Sequence, residues 1–216
     1  MSSTSDLGPT EAYVAGHFAA EDLHLTEIRE AMESRGLPAI QLPPTTARTI
    51  QLLLTLAGSR RVLEIGTLAG YSALWIARAL PVGGVVVSVD RDPSRSELAR
   101  ELTRDTEVAE RLEFRTGEAL DVLRSEREAG ASWDAVFLDA DKEDLPQYVA
   151  LARDLLSTGG LLLVDNALWK GQVPDPQVGD QATEAIREAI RAVAGDTGFD
   201  ATILTVGDGL LVARRR

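Results

Sequence analysis

Apolar and polar positions follow two different periodicities, and the change between them divides the chain into two regions. Apolar residues recur at helical spacing over residues 9–36 and 45–58, and each run ends at a glycine that can close a helix. From residue 61 onward, short apolar runs typical of buried strands alternate with amphipathic runs typical of helices. The pattern predicts an N-terminal helical extension over residues 1–57, with a disordered leader up to about Gly8, and a strand–helix core over residues 58–216.

The core region reads as five strand–helix repeats followed by a hairpin. Strands are predicted at residues 61–66, 84–90, 111–117, 133–140, 160–166, 200–207 and 209–215. The last two meet at Gly207, Asp208 and Gly209, which is a hairpin signal. Repeated strand–helix units form a parallel sheet with helices on both faces, and the hairpin reverses one strand. The predicted fold class is therefore α/β, in one domain, with a seven-stranded and mostly parallel sheet whose last strand is antiparallel.

Net charge and cysteine content limit the classes of partner and the cellular compartment expected for the chain. The net charge of −12 argues against binding to a nucleic-acid backbone, which requires a basic surface. The chain has no cysteine, so a reducing cytoplasm is the expected location. Neither a secretory signal nor an apolar run long enough to cross a membrane is visible in the sequence.

A glycine loop follows the first predicted strand. Gly66 and Gly70 allow a tight turn and a close approach of a ligand, and Asp90, at the end of the second strand, is placed to accept hydrogen bonds from ribose hydroxyls. The spacing is not the G-x-G-x-x-G of dinucleotide folds, and no Walker-type Gly-Lys-Ser/Thr is present. Glu64 would repel a phosphate but suits a cationic sulfonium or amino group. An adenosine-containing, positively charged ligand is predicted, with purely structural glycines as the alternative.

Carboxylates end two strands that should be neighbours in the sheet. Asp139 follows the fourth strand, and Asp165 and Asn166 follow the fifth. Parallel neighbours lie about 4.8 Å apart and end at the same edge, so these oxygens should lie close together. Mg²⁺ prefers such ligands, and Mn²⁺ or Ca²⁺ could replace it. Without cysteine, and with both histidines in the first helical region, zinc does not fit. The alternative is that the aspartates cap helices.

Lys142 follows Asp139 on the same loop. Its amine could reach an oxygen held on the metal and remove a proton from it, provided that the amine is neutral when it does so. The competing interpretation is a surface ion pair with Asp141 or Glu143, which lie beside it in the sequence.

Six segments resemble one enzyme family, in the same order along residues 40–216. They are VLEIGTLAGYSALWIARAL, VVSVDRDP, RTGEALDVL, WDAVFLDADK, GGLLLVDNALWKGQV and GDGLLVAR. The family is that of the cation-dependent O-methyltransferases, which contains the catechol and caffeoyl-CoA enzymes and bacterial relatives. The combination of DADK with DN-x-LW is the specific part of the resemblance.

The resemblance implies a Rossmann-like methyltransferase fold, S-adenosylmethionine as donor and a homodimer. It implies metal ligands at Asp139, Asp165 and Asn166, and Lys142 as the general base. The implied contacts to the donor are Leu42, Glu64, Gly66, Thr67, Ser72, Asp90, Ala119 and Asp141.

The resulting hypothesis is a metal-dependent O-methyltransferase acting on a catechol-like small molecule. Two neighbouring oxygens of the acceptor would bind the metal, Lys142 would remove a proton, and the oxygen would attack the methyl group in line. The alternatives are a nucleotide-dependent oxidoreductase on a similar sheet and a non-catalytic ligand-binding relative.

Overall fold

The computed structural model describes residues 8–216, so the predicted leader at residues 1–7 lies outside the described part of the chain. The helices are α1 Pro9–Phe18, α2 Leu23–Ser34, α3 Pro44–Ala57, α4 Tyr71–Ala79, α5 Pro93–Thr103, α6 Ala119–Glu128, α7 Leu145–Leu155 and α8 Gln181–Gly195. The strands are β1 Arg61–Ile65, β2 Val85–Asp90, β3 Leu112–Thr116, β4 Trp133–Leu138, β5 Leu156–Val164, β6 Phe199–Leu204 and β7 Leu210–Arg215.

The seven strands form one sheet in the order β3-β2-β1-β4-β5-β7-β6. All neighbouring pairs are parallel except the two pairs made by β7. The predicted fold class is confirmed, including the antiparallel last strand. After β3 the chain crosses to the far side of β1 to form β4, and ligands of open α/β sheets bind at such a reversal, outside the carboxyl ends of the strands.

Helices cover both faces of the sheet because adjacent strand residues point to opposite sides. Leu63 of β1 packs in a cluster with residues of α6, α7 and α8. Its neighbour Val62 packs in the opposite cluster, with residues of α2, α3, α4 and α5. The helices α2 and α3 therefore share an apolar core with the sheet. The single-domain organisation and its division after residue 57 stay predictions.

The N-terminal helical region differs from its prediction, because two helices replace one continuous run over residues 9–36. The chain leaves α1 at Ala19, and the carboxylate of Asp22 accepts a hydrogen bond of 3.1 Å from the backbone N of Leu25, which starts α2. Glu21, in the break, accepts a hydrogen bond of 2.7 Å from the hydroxyl of Tyr71. A side-chain cap and a contact with α4 favour the interruption, which helical spacing alone does not reveal.

Gly58 ends α3 as predicted, with φ of 66° in the left-handed region. None of the helices formed by residues 8–216 combines the length and the apolar character that crossing a bilayer requires.

Candidate active site

A cavity of about 900 Å³ opens at the carboxyl ends of β1, β2 and β4. Its wall contains seven of the eight predicted donor contacts: Leu42, Gly66, Thr67, Ser72, Asp90, Ala119 and Asp141. The same wall contains Asp139, Lys142 and Asn166. The fold thus brings residues from six separated segments of the chain to one opening.

The glycine loop between β1 and α4 is tied to the end of β2. The backbone N atoms of Thr67 and Leu68 donate to Oδ2 of Asp90 over 3.3 and 3.0 Å, and the backbone N of Asp92 donates to Oδ1 over 3.0 Å. Nη1 of Arg95 lies 3.6 Å from Oδ1 as well, so of the roughly four acceptor positions of a carboxylate about one is left for a ribose hydroxyl. The contact between Asp90 and a ribose stays a prediction. The structure does show that Asp90 holds the glycine loop in place.

Gly66 is required by its surroundings. Its φ is 108°, and a Cβ at this position would lie 2.1 Å from the backbone oxygen of Asp139. The close approach of β1 to β4 therefore depends on the missing side chain.

Replacing Gly66 with alanine is expected to displace the glycine loop and the start of the Asp139 loop together. We expect at least a tenfold loss of affinity for the methyl donor, measured by calorimetry, and a lower unfolding midpoint. Gly58→Ala is the matched control, because Gly58 also has a positive φ of 66° but no atom within 4 Å of the added Cβ. Equal donor affinity in the two variants would contradict a role of the glycine loop in donor binding.

Glu64 is the predicted donor contact that the cavity wall does not include. Its side chain is fully buried in β1, and its Oε2 accepts a hydrogen bond of 2.5 Å from the hydroxyl of Ser88 on β2. The Ser88 hydroxyl is also 2.6 Å from that of Thr67 in the glycine loop. Burial raises the pKa of Glu64 to about 7, against the opposing effect of hydrogen bonds from Ser72 and Ser88. A direct contact between Glu64 and the donor stays a prediction.

Asp139 and Asp165 extend the pairing of β1, β4 and β5 beyond the strands themselves. The backbone N of Asp139 donates to the carbonyl of Ile65 over 2.9 Å, and that of Asp165 donates to the carbonyl of Leu138 over 3.1 Å. Neither caps a helix, since α7 begins after Asp144. The structure therefore excludes the alternative that Asp139 and Asp165 cap helices.

The carboxylate of Asp165 is suited to a cation. The residue is 4% exposed, and its Oδ1 has no hydrogen-bond partner. Burial, followed by the nearby charge of Asp139, raises the pKa of the Asp165 carboxyl above its ordinary value, because both disfavour a second negative charge there. A divalent cation would remove this penalty, and Asn166 offers an amide oxygen beside it.

The predicted metal set has two carboxylates and one amide. Over residues 8–216, no cluster of three or more histidine, cysteine, aspartate or glutamate side chains is arranged to hold an ion. The residues fit a hard divalent cation through the unpartnered Asp165 oxygen, and the metal site itself stays a prediction.

Lys142 is buried and contacts both aspartates. Its Nζ lies 3.2 Å from Oδ1 of Asp139 and donates to the backbone oxygen of Asp165 over 3.4 Å. Asp141 and Glu143, the alternative partners expected from the sequence, form no ion pair with Lys142. Asp141 instead forms an ion pair of 2.9 Å with Arg91. Lys142 is thus a buried group facing the cavity and the predicted metal residues, which distinguishes it from a surface lysine.

Several wall residues were missed by the sequence analysis: Glu11, Arg91, Arg95, Glu118, Tyr148 and Asp208. Arg91 follows Asp90 directly, so the rule that strand ends meet at one edge could have identified it. Glu11 and Asp208 carry no such local signal. They reach the cavity because α1 and the β6–β7 turn fold over it.

Comparisons with known proteins identify the family. The profile of the O-methyltransferase family matches residues 15–216. A catechol O-methyltransferase of Niastella koreensis is 34% identical over 193 residues, covering 89% of this chain and 87% of the relative.

Two solved structures superpose closely. An O-methyltransferase of Bacillus cereus in complex with SAH has a TM-score of 0.91 and 32% identity, covering 99% of this chain and 100% of the other. The O-methyltransferase TomG of Streptomyces achromogenes, involved in tomaymycin synthesis and bound to SAM, has a TM-score of 0.89 and 32% identity. The match covers 100% of this chain and 99% of TomG. A match over nearly the whole length, in both sequence and fold, leaves no place for the oxidoreductase alternative: this chain belongs to the O-methyltransferase family.

Proposed function

We propose that this O-methyltransferase transfers the methyl group of S-adenosylmethionine to one hydroxyl of a catechol-like acceptor, with the help of a divalent metal. Asp139, Asp165 and Asn166 would hold Mg²⁺, or Mn²⁺ or Ca²⁺ in its place, and Lys142 would act as the general base. The observation that carries the proposal is the position of the Lys142 Nζ, 3.2 Å from Asp139 and 3.4 Å from the backbone of Asp165, at the wall of the cavity.

The donor assignment is supported by the glycine loop and by the relatives. Gly66, Thr67 and Asp90 all line the cavity, and Asp90 ends β2, where a carboxylate can accept hydrogen bonds from ribose hydroxyls. The related structures from B. cereus and S. achromogenes are complexes with SAH and SAM. The donor supplies a methyl group on a positively charged sulfur, and the cavity wall has six carboxylates against four cationic side chains, a net negative balance that suits that charge.

The metal assignment is supported by the uncompensated oxygen of Asp165 beside the charge of Asp139. A divalent cation supplies Lewis acidity, which lowers the pKa of an acceptor hydroxyl and favours acceptors with two adjacent oxygens.

Lys142 would accept the hydroxyl proton, so that the acceptor oxygen carries negative charge when it attacks the methyl carbon. The new carbon–oxygen bond forms as the carbon–sulfur bond breaks, and its electron pair stays on sulfur. Asp139 positions the lysine through their ion pair, and this ammonium would be displaced when Asp139 and Asp165 hold a cation, which favours the neutral amine that a base requires. The rest of the rate enhancement would come from alignment of the two substrates in one cavity.

We further propose a cytoplasmic homodimer without nucleic-acid or membrane partners. Five large apolar side chains of α1 and α3 are exposed, namely Tyr13, Val14, Phe18, Leu52 and Leu56, and the last is 75% exposed. Such a surface is typical of an association face. The charge of −12 disfavours nucleic acid, and the absence of cysteine fits a reducing compartment.

Turnover with labelled S-adenosylmethionine tests the proposal. We expect methylation of catechol in Mg²⁺, a loss of at least about 100-fold in excess EDTA, and recovery when Mg²⁺ is restored. Resorcinol is the matched control acceptor, because its two hydroxyls are not adjacent, and we expect little turnover of it. Full activity in EDTA would exclude the metal role. Tight donor binding without turnover of any phenol would instead favour the non-catalytic alternative.

A further inference from the structure

Both lysines of the chain line the same cavity. Of the 22 lysine and arginine residues, only Lys142 and Lys170 are lysines. Both belong to the cavity wall, whereas the ion pairs elsewhere in the described part of the chain use arginine or, in one case, His24. Lys142 has a role in the proposed mechanism, and Lys170 has none.

The backbone around Lys170 is held in an unusual conformation. Asn166, Trp169 and Lys170 have φ of 60°, 47° and 56°, in the left-handed region that side chains disfavour. The backbone N of Lys170 donates to the carboxylate of Asp208 over 2.6 Å, and the backbone N of Leu168 donates to the Asp208 carbonyl over 2.9 Å. The β6–β7 turn therefore fixes where the Lys170 side chain starts, in spite of the conformational cost.

The Lys170 side chain is exposed, and its ammonium has no carboxylate partner in the described part of the chain. Over residues 8–216 its ammonium forms no ion pair, and its recorded contact is with the ring of Trp169, 5.9 Å from the centroid. Five of the six carboxylates of the wall already have partners: Glu11 with Thr45, Asp90 with the glycine loop, Asp139 with Lys142, Asp141 with Arg91 and Asp208 with the backbone of Lys170. The sixth, Glu118, forms no ion pair with Lys170. Lys170 is thus an available cation in the wall of the cavity.

We propose that Lys170 binds an anionic substituent of the acceptor, so that the preferred acceptors are catechols carrying a carboxylate away from their two hydroxyls. The inference rests on the proposed function, because it requires the hydroxyls to lie at Asp139, Asp165 and Asn166. Asn166 and Lys170 belong to one short segment that follows β5, and both line the cavity. One acceptor could therefore engage the metal residues with its diol and Lys170 with its carboxylate.

The test compares 3,4-dihydroxyphenylacetate with its methyl ester, which differ in one charge. For Lys170→Gln we expect about a tenfold or greater loss of kcat/KM on the acid, mainly through KM, and a change within about twofold on the ester. Lys170→Arg should restore most of the preference for the acid, since it keeps the charge. Arg104→Gln is the control, because it removes one charge from a fully exposed site and should leave both substrates unaffected.

Each remaining outcome decides against the inference. If Lys170→Gln turns over both substrates with the acid-to-ester ratio of the wild type, Lys170 does not recognise the anion, and the proposed function stands. If the variant loses both substrates equally, with a lowered unfolding midpoint, Lys170 is a structural residue only. If the wild-type enzyme methylates neither compound nor any other catechol, the proposed function fails, and this inference fails with it.

Discussion

Replacing Lys142 with methionine is expected to lower kcat on catechol by about 100- to 10,000-fold, which is the range of a general base. The side chain is buried, with Nζ 3.2 Å from Asp139, and methionine keeps most of its volume without a proton acceptor. Calorimetry should give donor affinity within a few-fold of the wild type, because the predicted donor contacts belong to other residues. The measurement is single-turnover methylation at saturating donor, alongside a thermal unfolding curve.

Two controls separate a base from a mere positive charge at Lys142. Lys142→Arg keeps the charge but cannot give up its proton at working pH, so a base role predicts that it also loses activity. A catechol with a strongly acidic hydroxyl, such as 4-nitrocatechol, is already ionised near neutral pH and should be affected much less by Lys142→Met. An active arginine variant, or an equal loss on both catechols, would show that Lys142 does not act as the base.

Replacing Asp165 with asparagine is expected to lower activity at least about 100-fold and to remove the response to Mg²⁺. The change keeps the shape of the side chain and removes one of the two charges of the predicted metal set. Activity is measured by turnover across a Mg²⁺ titration. Asp134→Asn is a suitable control, because Asp134 lies at the opposite end of β4, where its carboxylate accepts from the backbone N atoms of Arg60 and Arg61.

For the same Asp165 variant, we expect the order of stability between variant and wild type to change when metal is added. Burial and the charge of Asp139 raise the pKa of Asp165 above its ordinary value of 3.8, so the folded state binds this proton more tightly than the unfolded state. Without metal, the wild type therefore loses stability as pH rises above about 4 toward the raised pKa, whereas the asparagine variant lacks this loss.

We expect the metal-free variant to unfold at a higher temperature than the wild type at pH 8, with the difference shrinking toward pH 4. In excess Mg²⁺ only the wild type gains stability through binding, so the order should reverse. Unfolding curves in EDTA and in Mg²⁺ at both pH values measure this. A wild type that is unaffected by Mg²⁺ would contradict the metal site.

Hydrophobic periodicity within a segment predicted most helices and strands correctly, and it failed where contacts with distant residues decide where a helix begins or ends. Gly58 ends α3 where helical spacing and a C-terminal glycine predict the end. The break before α2 is different, because the Asp22 cap acts together with the bond between Glu21 and Tyr71, which are far apart in the chain. Periodicity within one segment contains no information about such a partner.

In the candidate site, too, sequence position predicts the location of some residues and not of others. The rule that parallel strands end at one edge predicts from the sequence that Asp90, Asp139 and Asn166 lie together, and all three line the cavity. Asp165, which the rule groups with them, is buried and is not part of the cavity wall. The rule could not predict that Glu64, inside the buried strand β1, lies behind the cavity wall, because its hydrogen bond with Ser88 on β2 depends on the pairing of the two strands. Nor could it predict that Asp141 pairs with Arg91 rather than with Lys142.

By itself, the sequence determined the α/β class, the antiparallel last strand and the residue types gathered at the carboxyl edge of the sheet, because these follow from the spacing of apolar runs and from where the strands end. Only the tertiary structure decided that Lys142 is buried against Asp139, that Asp165 has an oxygen without a partner, and that Asp208 holds the backbone of Lys170. Those facts depend on distances between segments far apart in the chain, and only the packing of the whole fold sets such distances.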